Sequence, residues 1–189
     1  MHLLGLNEQD RYMRFGYAAS DAHIGRYVDQ IDFEHDEVFG IFNRRLELAA
    51  MAHLAYLSPA GNGNEGARVQ KSAEFGVSVE PRYRGRGLGA RLFEKACLHG
   101  RNRGVDTLII HALSDNAPML KIARAAGATL ERDGPDATAV LKLPPDDLGS
   151  HLSQLVGTQA AAVDYGLKVH ATQIDRLVRS VRGLLSGAG

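Results

Sequence analysis

The stretch at residues 79–93, VEPRYRGRGLGARLF, constrains this chain most, because glycine occupies every second position in its middle. Gly85, Gly87 and Gly89 lack the side chain that would block an anion from the main chain, and they permit backbone angles that other residues avoid. The apolar spacing that follows predicts a helix, whose first N–H groups lack internal partners and lie at the positive end of the helix dipole. The stretch therefore predicts a strand, a loop and a helix that bind a diphosphate.

Two familiar diphosphate motifs do not fit this loop. A P-loop ends in Gly-Lys-Ser/Thr, whereas the residues here are Gly89, Ala90 and Arg91. A dinucleotide fingerprint needs Gly-x-Gly-x-x-Gly, and the glycine spacing of this loop differs from it. Arg84 and Arg86 add positive charge beside the glycines. The loop therefore predicts a diphosphate site that matches neither of these two motifs.

The remaining pattern predicts the order helix, helix, three strands, helix, strand, helix and two strands. Apolar residues at helical spacing and runs with turn residues at their ends are the basis of this assignment. The predicted helices span 7–14 (capped by Asn7), a segment capped by Asp21, 88–102 and 116–126, and the predicted strands span 37–42, 46–57, 72–79, 105–112, 129–132 and 138–143. This order predicts an α/β fold with a mixed sheet.

Two motifs in this order resemble the GCN5-related N-acetyltransferase (GNAT) family. Arg84-x-x-Gly87-x-Gly89, preceded by Val79-x-Pro81, resembles the acetyl-CoA loop of the family, and a segment that begins NAPML at Asn116 resembles its asparagine-bearing helix. More narrowly, AEFGVSVEPRYRGRGLGARLF with NAPMLKIARAAGA is similar to the acetyltransferase domain of bacterial protein-lysine acetyltransferases of the Pat type. The resemblance covers about residues 3–143 and is weak before Ala73.

The resemblance implies the GNAT fold, in which a mixed, mostly antiparallel sheet is flanked by helices and a short first strand lies at 2–6. It also implies direct transfer of an acetyl group from acetyl-CoA, a cosubstrate, to a primary amine without a metal. The implied acetyl-CoA-binding residues are Val77, Val79, Arg84, Gly85, Arg86, Gly87, Leu88, Gly89, Ala90 and Asn116. Asn116 also suits a helix N-cap, which does not exclude a contact with the ligand.

Aminolysis of a thioester needs a neutral amine, and deprotonating a lysine amine of pKa about 10.4 at neutral pH costs roughly 4 to 5 kcal/mol. A positioned base is therefore useful. Glu74 is the first candidate, because it matches the glutamate of the Pat-like Ala-Glu-Phe segment and lies on the polar face of its strand. Glu80 is the second candidate, although either glutamate also suits an exposed or ion-paired role. Ala123 stands where the family has a tyrosine that protonates the leaving thiolate, so no general acid is carried over.

Composition limits the partners. Lys plus Arg equals Asp plus Glu at 22 each, so the overall charge does not favour nucleic acid or an anionic membrane. Cys97 is the only cysteine, which excludes an internal disulfide and fits a reducing compartment. The sequence has neither a basic leader with a long apolar run nor a long apolar span, so we expect a cytoplasmic protein.

His53 and His111 are more typical of packed than of catalytic histidines, and no spacing indicates a metal site.

The segment 144–189 follows Pro144-Pro145 and is not explained by the family, so we expect domains at 1–143 and 144–189. Its apolar positions alternate at spacings of four and three, a pattern typical of a helix that packs on another helix. They are Val163, Leu167, His170, Ile174, Leu177, Val181 and Leu184. The hypothesis is that this helical extension mediates a homodimer or packs on the first domain.

Two questions stay open at this level. The acceptor amine is either a protein lysine or a small molecule, because no diagnostic motif marks its pocket. A protein that binds acetyl-CoA without turnover, as a sensor or interaction module, is the alternative, with Ala123 in its favour and Glu74 against it.

Overall fold

The computed structural model describes residues 2–57 and 71–143. Its helices and strands, in chain order, are α1 Glu8–Phe15, α2 Asp21–Asp29, β1 Glu37–Phe42, β2 Leu48–Leu57, β3 Ser72–Val79, α3 Leu88–Asn102, β4 Thr107–Leu113, α4 Ala117–Ala125, β5 Thr129–Asp133 and β6 Asp136–Lys142. Short 3₁₀ helices lie at Leu3–Gly5 and Pro81–Tyr83. The predicted α/β fold with a mixed sheet is confirmed.

The strands form one six-stranded sheet in the order β1-β2-β3-β4-β6-β5. All neighbours are antiparallel except β3 and β4, which are parallel and pair only from Ser72 to Glu74, opposite Thr107 to Ile109. Beyond Glu74 the two strands separate, although β3 stays paired with β2 and β4 with β6. We call the space between residues 75–79 and 110–113 the wedge.

The two faces of β3 pack against different elements. Phe75 is 1% exposed and meets Phe93 of α3 edge to face, with ring centroids 5.1 Å apart, so this face belongs to the main core. On the other face, Gly76 lies against the Arg14 side chain of α1, and Ser78 lies 2.6 Å from Nε2 of His2. Side chains alternate along a strand, so Glu74 shares the face of Gly76 and Ser78.

The predicted first strand at 2–6 is wrong, because this segment forms a 3₁₀ helix. Gly5 donates to the carbonyl of His2 and Leu6 to that of Leu3, which is the three-residue hydrogen-bond spacing of such a helix. Leu3 and Leu6 are both buried, and their spacing brings them to one side of a helical turn, where a strand would point them to opposite faces.

Several predicted boundaries also shift, among them the start of β6, which lies at Asp136 rather than at residue 138. Ser20, rather than Asp21, caps α2, because its side chain accepts from the N–H of His23. β2 begins at Leu48 because Asn43 accepts the N–H of Glu47 in the preceding turn. β4 begins at Thr107 rather than at residue 105. Asn7 caps α1 and α3 spans 88–102, both as predicted.

The loop at 59–67 and the whole extension 144–189 lie outside the described residues. The dimer hypothesis and the domain boundary at residue 143 therefore stay predictions. Within 2–57 and 71–143, no helix is long and apolar enough to cross a membrane.

Phe75→Ala tests the contact between β3 and α3. Phe75 is fully buried, so we expect its truncation to lower the free energy of unfolding by about 3–5 kcal/mol, measured by urea denaturation. Phe33→Ala is the matched control, because Phe33 is 69% exposed and its loss should change stability by about 0.5 kcal/mol at most. Similar losses in the two variants would contradict this assignment of the core.

Candidate active site

A cavity of about 570 Å³ occupies the wedge. Its walls are residues 75–79 of β3, Ile110 and His111 of β4, the first turns of α3 and α4, and one side of α1. This volume lies within the range of roughly 300 to 1,000 Å³ that is usual for small-molecule sites. Within the described residues, the peptide groups that face the wedge have no strand partner. Apart from the Val79 carbonyl, which accepts from Arg84, they are available to an elongated ligand.

The glycine loop lies at the mouth of this cavity, and we call residues 84–90 the cradle. Gly85 and Gly87 have φ angles of 71° and 74°, in the left-handed region that favours glycine. Gly87 is the N-cap of α3 and provides no side chain to accept the first N–H groups of the helix. Successive turns of this kind aim main-chain N–H groups at a common point. The described residues thus fit an anion such as a diphosphate.

Most of the residues expected to bind acetyl-CoA border the cavity. They are Val77, Val79, Arg84, Gly85, Gly87, Leu88, Gly89, Ala90 and Asn116. Arg86 does not border it, because its guanidinium lies over the ring of Tyr83, 5.5 Å from the centroid. The roles of all these residues in binding stay predictions.

Arg84 is held at the cavity by two contacts. Its Nη2 lies 2.5 Å from Oδ1 of Asp10, and its Nε donates to the carbonyl of Val79. Asp10 is only 7% exposed, and in the part of the chain that the structure describes its Oδ2 has no hydrogen-bond partner. The carboxylate of Asp10 thus fixes the Arg84 guanidinium while the remaining N–H groups stay available to an anion. Sequence reasoning missed Asp10, since an acidic residue in the first turn of a helix is usual.

Asn116 joins two walls of the cavity. Its Oδ1 accepts the N–H of Met119 and so caps α4, while its Nδ2 donates to the carbonyl of Met13 in α1. The side chain therefore has a capping role and borders the cavity as well.

Glu74 lies at the closed end of the wedge, as the last β3 residue that pairs with β4. It is half-buried and does not border the cavity, and within the described residues its carboxylate has no hydrogen bond or ion pair. The Tyr27 hydroxyl is near it: burial raises the pKa of Tyr27, Arg14 lowers it, and the charge of Glu74 raises it further. Glu74 therefore faces the side of the sheet that α1 and α2 cover.

Glu80 has a different environment. Its carboxylate accepts from Nε of Arg82 at 2.7 Å, at the exit of β3, and it does not border the cavity. Ala123 is fully buried in the core, so this position offers no proton donor.

The two histidines differ. His53 is 8% exposed, as expected for a packed histidine, and bonds to the Tyr27 hydroxyl and the Asp36 carboxylate. The expectation that His111 is packed is wrong, because His111 is exposed and borders the cavity. Sequence reasoning missed the cluster of Tyr27, His53 and Asp36, whose members come from separate elements. Among the described residues no group of three His, Cys, Asp or Glu side chains could hold a metal.

Comparison with known proteins defines the class that this fold and site belong to. The pattern of the acetyltransferase (GNAT) family matches residues 7–128, which is more than half of the chain. The chain therefore belongs to the acetyltransferase (GNAT) family, a family of N-acetyltransferases.

Solved structures share the fold. The GNAT domain of S. lividans PAT is 22% identical, with a TM-score of 0.57 over 75% of this chain and 81% of that chain. Ribosomal-protein-alanine N-acetyltransferase from Brucella melitensis is 16% identical, with a TM-score of 0.56 over 75% of this chain and 93% of that chain. An N-acetyltransferase from Staphylococcus aureus Mu50 is 12% identical, with a TM-score of 0.55 over 72% and 89%.

Arg84→Gln tests the cradle. Arg84 borders the cavity, so we expect the loss of its charged hydrogen bonds to weaken coenzyme A binding roughly tenfold, measured by calorimetry. Arg86→Gln is the matched control, because Arg86 lies over Tyr83 and should contribute less. Equal losses in both variants, or no loss in Arg84→Gln, would contradict this difference.

Proposed function

We propose that this chain transfers an acetyl group from acetyl-CoA directly to a primary amine in a ternary complex. The observation that carries the proposal is the cradle of left-handed glycines at the mouth of a wedge with unpaired peptide groups. Together they suit a ligand with a diphosphate at one end and a long amide-bearing arm. Bound acetyl-CoA would supply the activated acetyl group.

In this proposal, the cradle and β3 bind different parts of acetyl-CoA. The N–H groups of residues 85–90, with Arg84, would bind the diphosphate. Peptide groups at Val77 and Val79 would bind the arm as a neighbouring strand would, and a β3 N–H would polarise the thioester carbonyl. Preorganised donors of this kind stabilise developing negative charge without reorganisation during the reaction.

Glu74 is the base of this proposal. Its carboxylate lies at the closed end of the wedge, on the face of α1 and α2, and has no partner among the described residues. It would accept the amine proton as the C–N bond forms and the C–S bond breaks. The same step needs no proton donor at Ala123, since a thiol of pKa about 8.5 is a tolerable leaving group as its thiolate.

The acceptor is a protein lysine or a small-molecule amine in this proposal. Labelled acetyl-CoA offered with a panel of proteins and metabolites separates the two. The alternative function, an acetyl-CoA-binding sensor without turnover, draws support from the buried Ala123. Free thiol release with candidate amines distinguishes it, because a sensor would bind acetyl-CoA and release no thiol.

Glu74→Gln tests the base. Amide and carboxylate have the same shape, so we expect turnover to fall roughly a hundredfold or more while coenzyme A affinity is unchanged. Initial rates of thiol release and calorimetry measure the two quantities. Glu80→Gln is the matched control and should stay near the wild-type rate, because Arg82 already engages Glu80. Unchanged turnover in Glu74→Gln would exclude Glu74 as the base.

Cys97 should not interfere with a thiol assay. Burial raises the pKa of the Cys97 thiol to about 11. At about pH 8 its thiolate fraction is then on the order of one in a thousand, so reaction with a thiol reagent should be slow in the folded protein. Adding urea should expose it as the single thiol of the chain. Fast labelling before unfolding would contradict the buried position of Cys97.

A further inference from the structure

The Arg14 side chain of α1 lies over β3 and borders the cavity. A Cβ at position 76 would overlap the Arg14 guanidinium, so glycine at this position lets the cation rest directly on the strand. The guanidinium also lies 5.1 Å from the ring centroid of Phe15 and 5.3 Å from that of Tyr27. Packing on three sides therefore fixes its position.

A directional chain of hydrogen bonds supports this position. Nη2 of Arg14 donates to the Tyr27 hydroxyl at 2.8 Å, and a guanidinium can only donate. The Tyr27 hydroxyl therefore donates its hydrogen bond to Nδ1 of His53 at 2.7 Å. On the other side of the ring, Nε2–H of His53 donates to the Asp36 carboxylate at 2.9 Å. The other Asp36 oxygen accepts the main-chain N–H of Tyr56. The cation is thus anchored through side chains from α2, β2 and the turn before β1, of which His53 is buried and Tyr27 and Asp36 are half-buried.

Arg14 has unused binding capacity. Within residues 2–57 and 71–143, Arg14 forms no ion pair with a carboxylate, and Tyr27 takes its only side-chain hydrogen bond. A guanidinium carries several N–H donors in a planar fork that matches a carboxylate. An anchored, unpaired arginine at a cavity wall is therefore suited to an anionic ligand.

The anion is not the diphosphate at the cradle. Gly76 and Val79 are three residues apart on β3, which is about 10 Å, and the cradle begins beyond Val79. The part of acetyl-CoA between its diphosphate and its thioester is uncharged. An anion at Arg14 therefore comes from the acceptor rather than from the acetyl donor.

We propose that Arg14 binds a carboxylate of the acceptor, and that the acceptor is an amino acid or a similar small amine with a carboxylate near its amino group. Glu74 lies on the same face of β3 as Gly76, two residues away, or about 7 Å between Cα atoms. Arg14 and Glu74 form no ion pair with each other, so a zwitterion fits the charges that they present. This inference rests on the proposed acetyl transfer and names its substrate class.

The experiment compares acids with amides. Thiol release is measured at saturating acetyl-CoA with the L-amino acids and with their carboxamides, for the wild type, Arg14→Gln, Tyr27→Phe and Arg124→Gln. We expect an amino acid whose kcat/KM exceeds that of its carboxamide roughly tenfold or more. Arg14→Gln should abolish this preference by raising the KM of the acid, with the KM of acetyl-CoA unchanged. Tyr27→Phe keeps the ring and should raise the same KM less.

Arg124→Gln is the control, because Arg124 is exposed on α4 and does not border the cavity. It should keep the wild-type preference for the acid. Equal rates with acids and amides in the wild type, or turnover of lysine peptides alone, would overturn the carboxylate site and leave acetyl transfer intact. No thiol release from any amine would overturn both. Calorimetry with coenzyme A then shows whether the donor site itself survives.

Discussion

The separation of β3 from β4 beyond Glu74 governs the rest of the structure. A main-chain N–H or C=O that is buried without a partner costs about 1–3 kcal/mol, so a sheet rarely leaves a run of them open. Here β2 and β6 satisfy the outer edges of the two strands, and the inner edges face a cavity instead of each other. Water or an elongated ligand with amide groups is what such edges can bind.

The glycine loop also presents main-chain groups without internal partners, because the first N–H groups of a helix have none and suit an anion. At the mouth of the wedge, Gly85 and Gly87 turn the chain into α3, whose first residues border the cavity. Asp10 and Arg84 complete this end with a fixed cation, and Arg14 provides another beside the closed end. In the proposed site, the cradle would bind the acetyl donor at one end, and Arg14 and Glu74 would bind the acceptor at the other.

Local chemistry explains what the sequence predicts well. The cradle follows from the glycine spacing, and α3 and β3 follow from apolar periodicity, because each pattern is contained in a single segment. The same holds for Asn7 as a cap. The strand expected at 2–6 came from the family resemblance alone, and so short an apolar segment has no clear period that could have indicated the 3₁₀ helix at Leu3–Gly5. Arg86 shows what a motif does not predict. Its guanidinium lies over Tyr83, and this contact depends on how the loop folds.

Contacts between distant segments escaped the sequence reading. Asp10 meets Arg84 across more than seventy positions, and the chain from Arg14 through Tyr27 and His53 to Asp36 joins separate elements. No periodicity connects such residues, because the fold alone brings them together. Their residue types are ordinary for the elements in which they occur.

The central claim is that main-chain amides of the cradle and of β3 bind coenzyme A. Titrating ¹⁵N-labelled protein with coenzyme A, and following its amide resonances, tests this claim most directly. The account predicts that the largest shifts occur at residues 85–90 and at Val77 and Val79. An unchanged spectrum, or shifts confined to other parts of the chain, would contradict it.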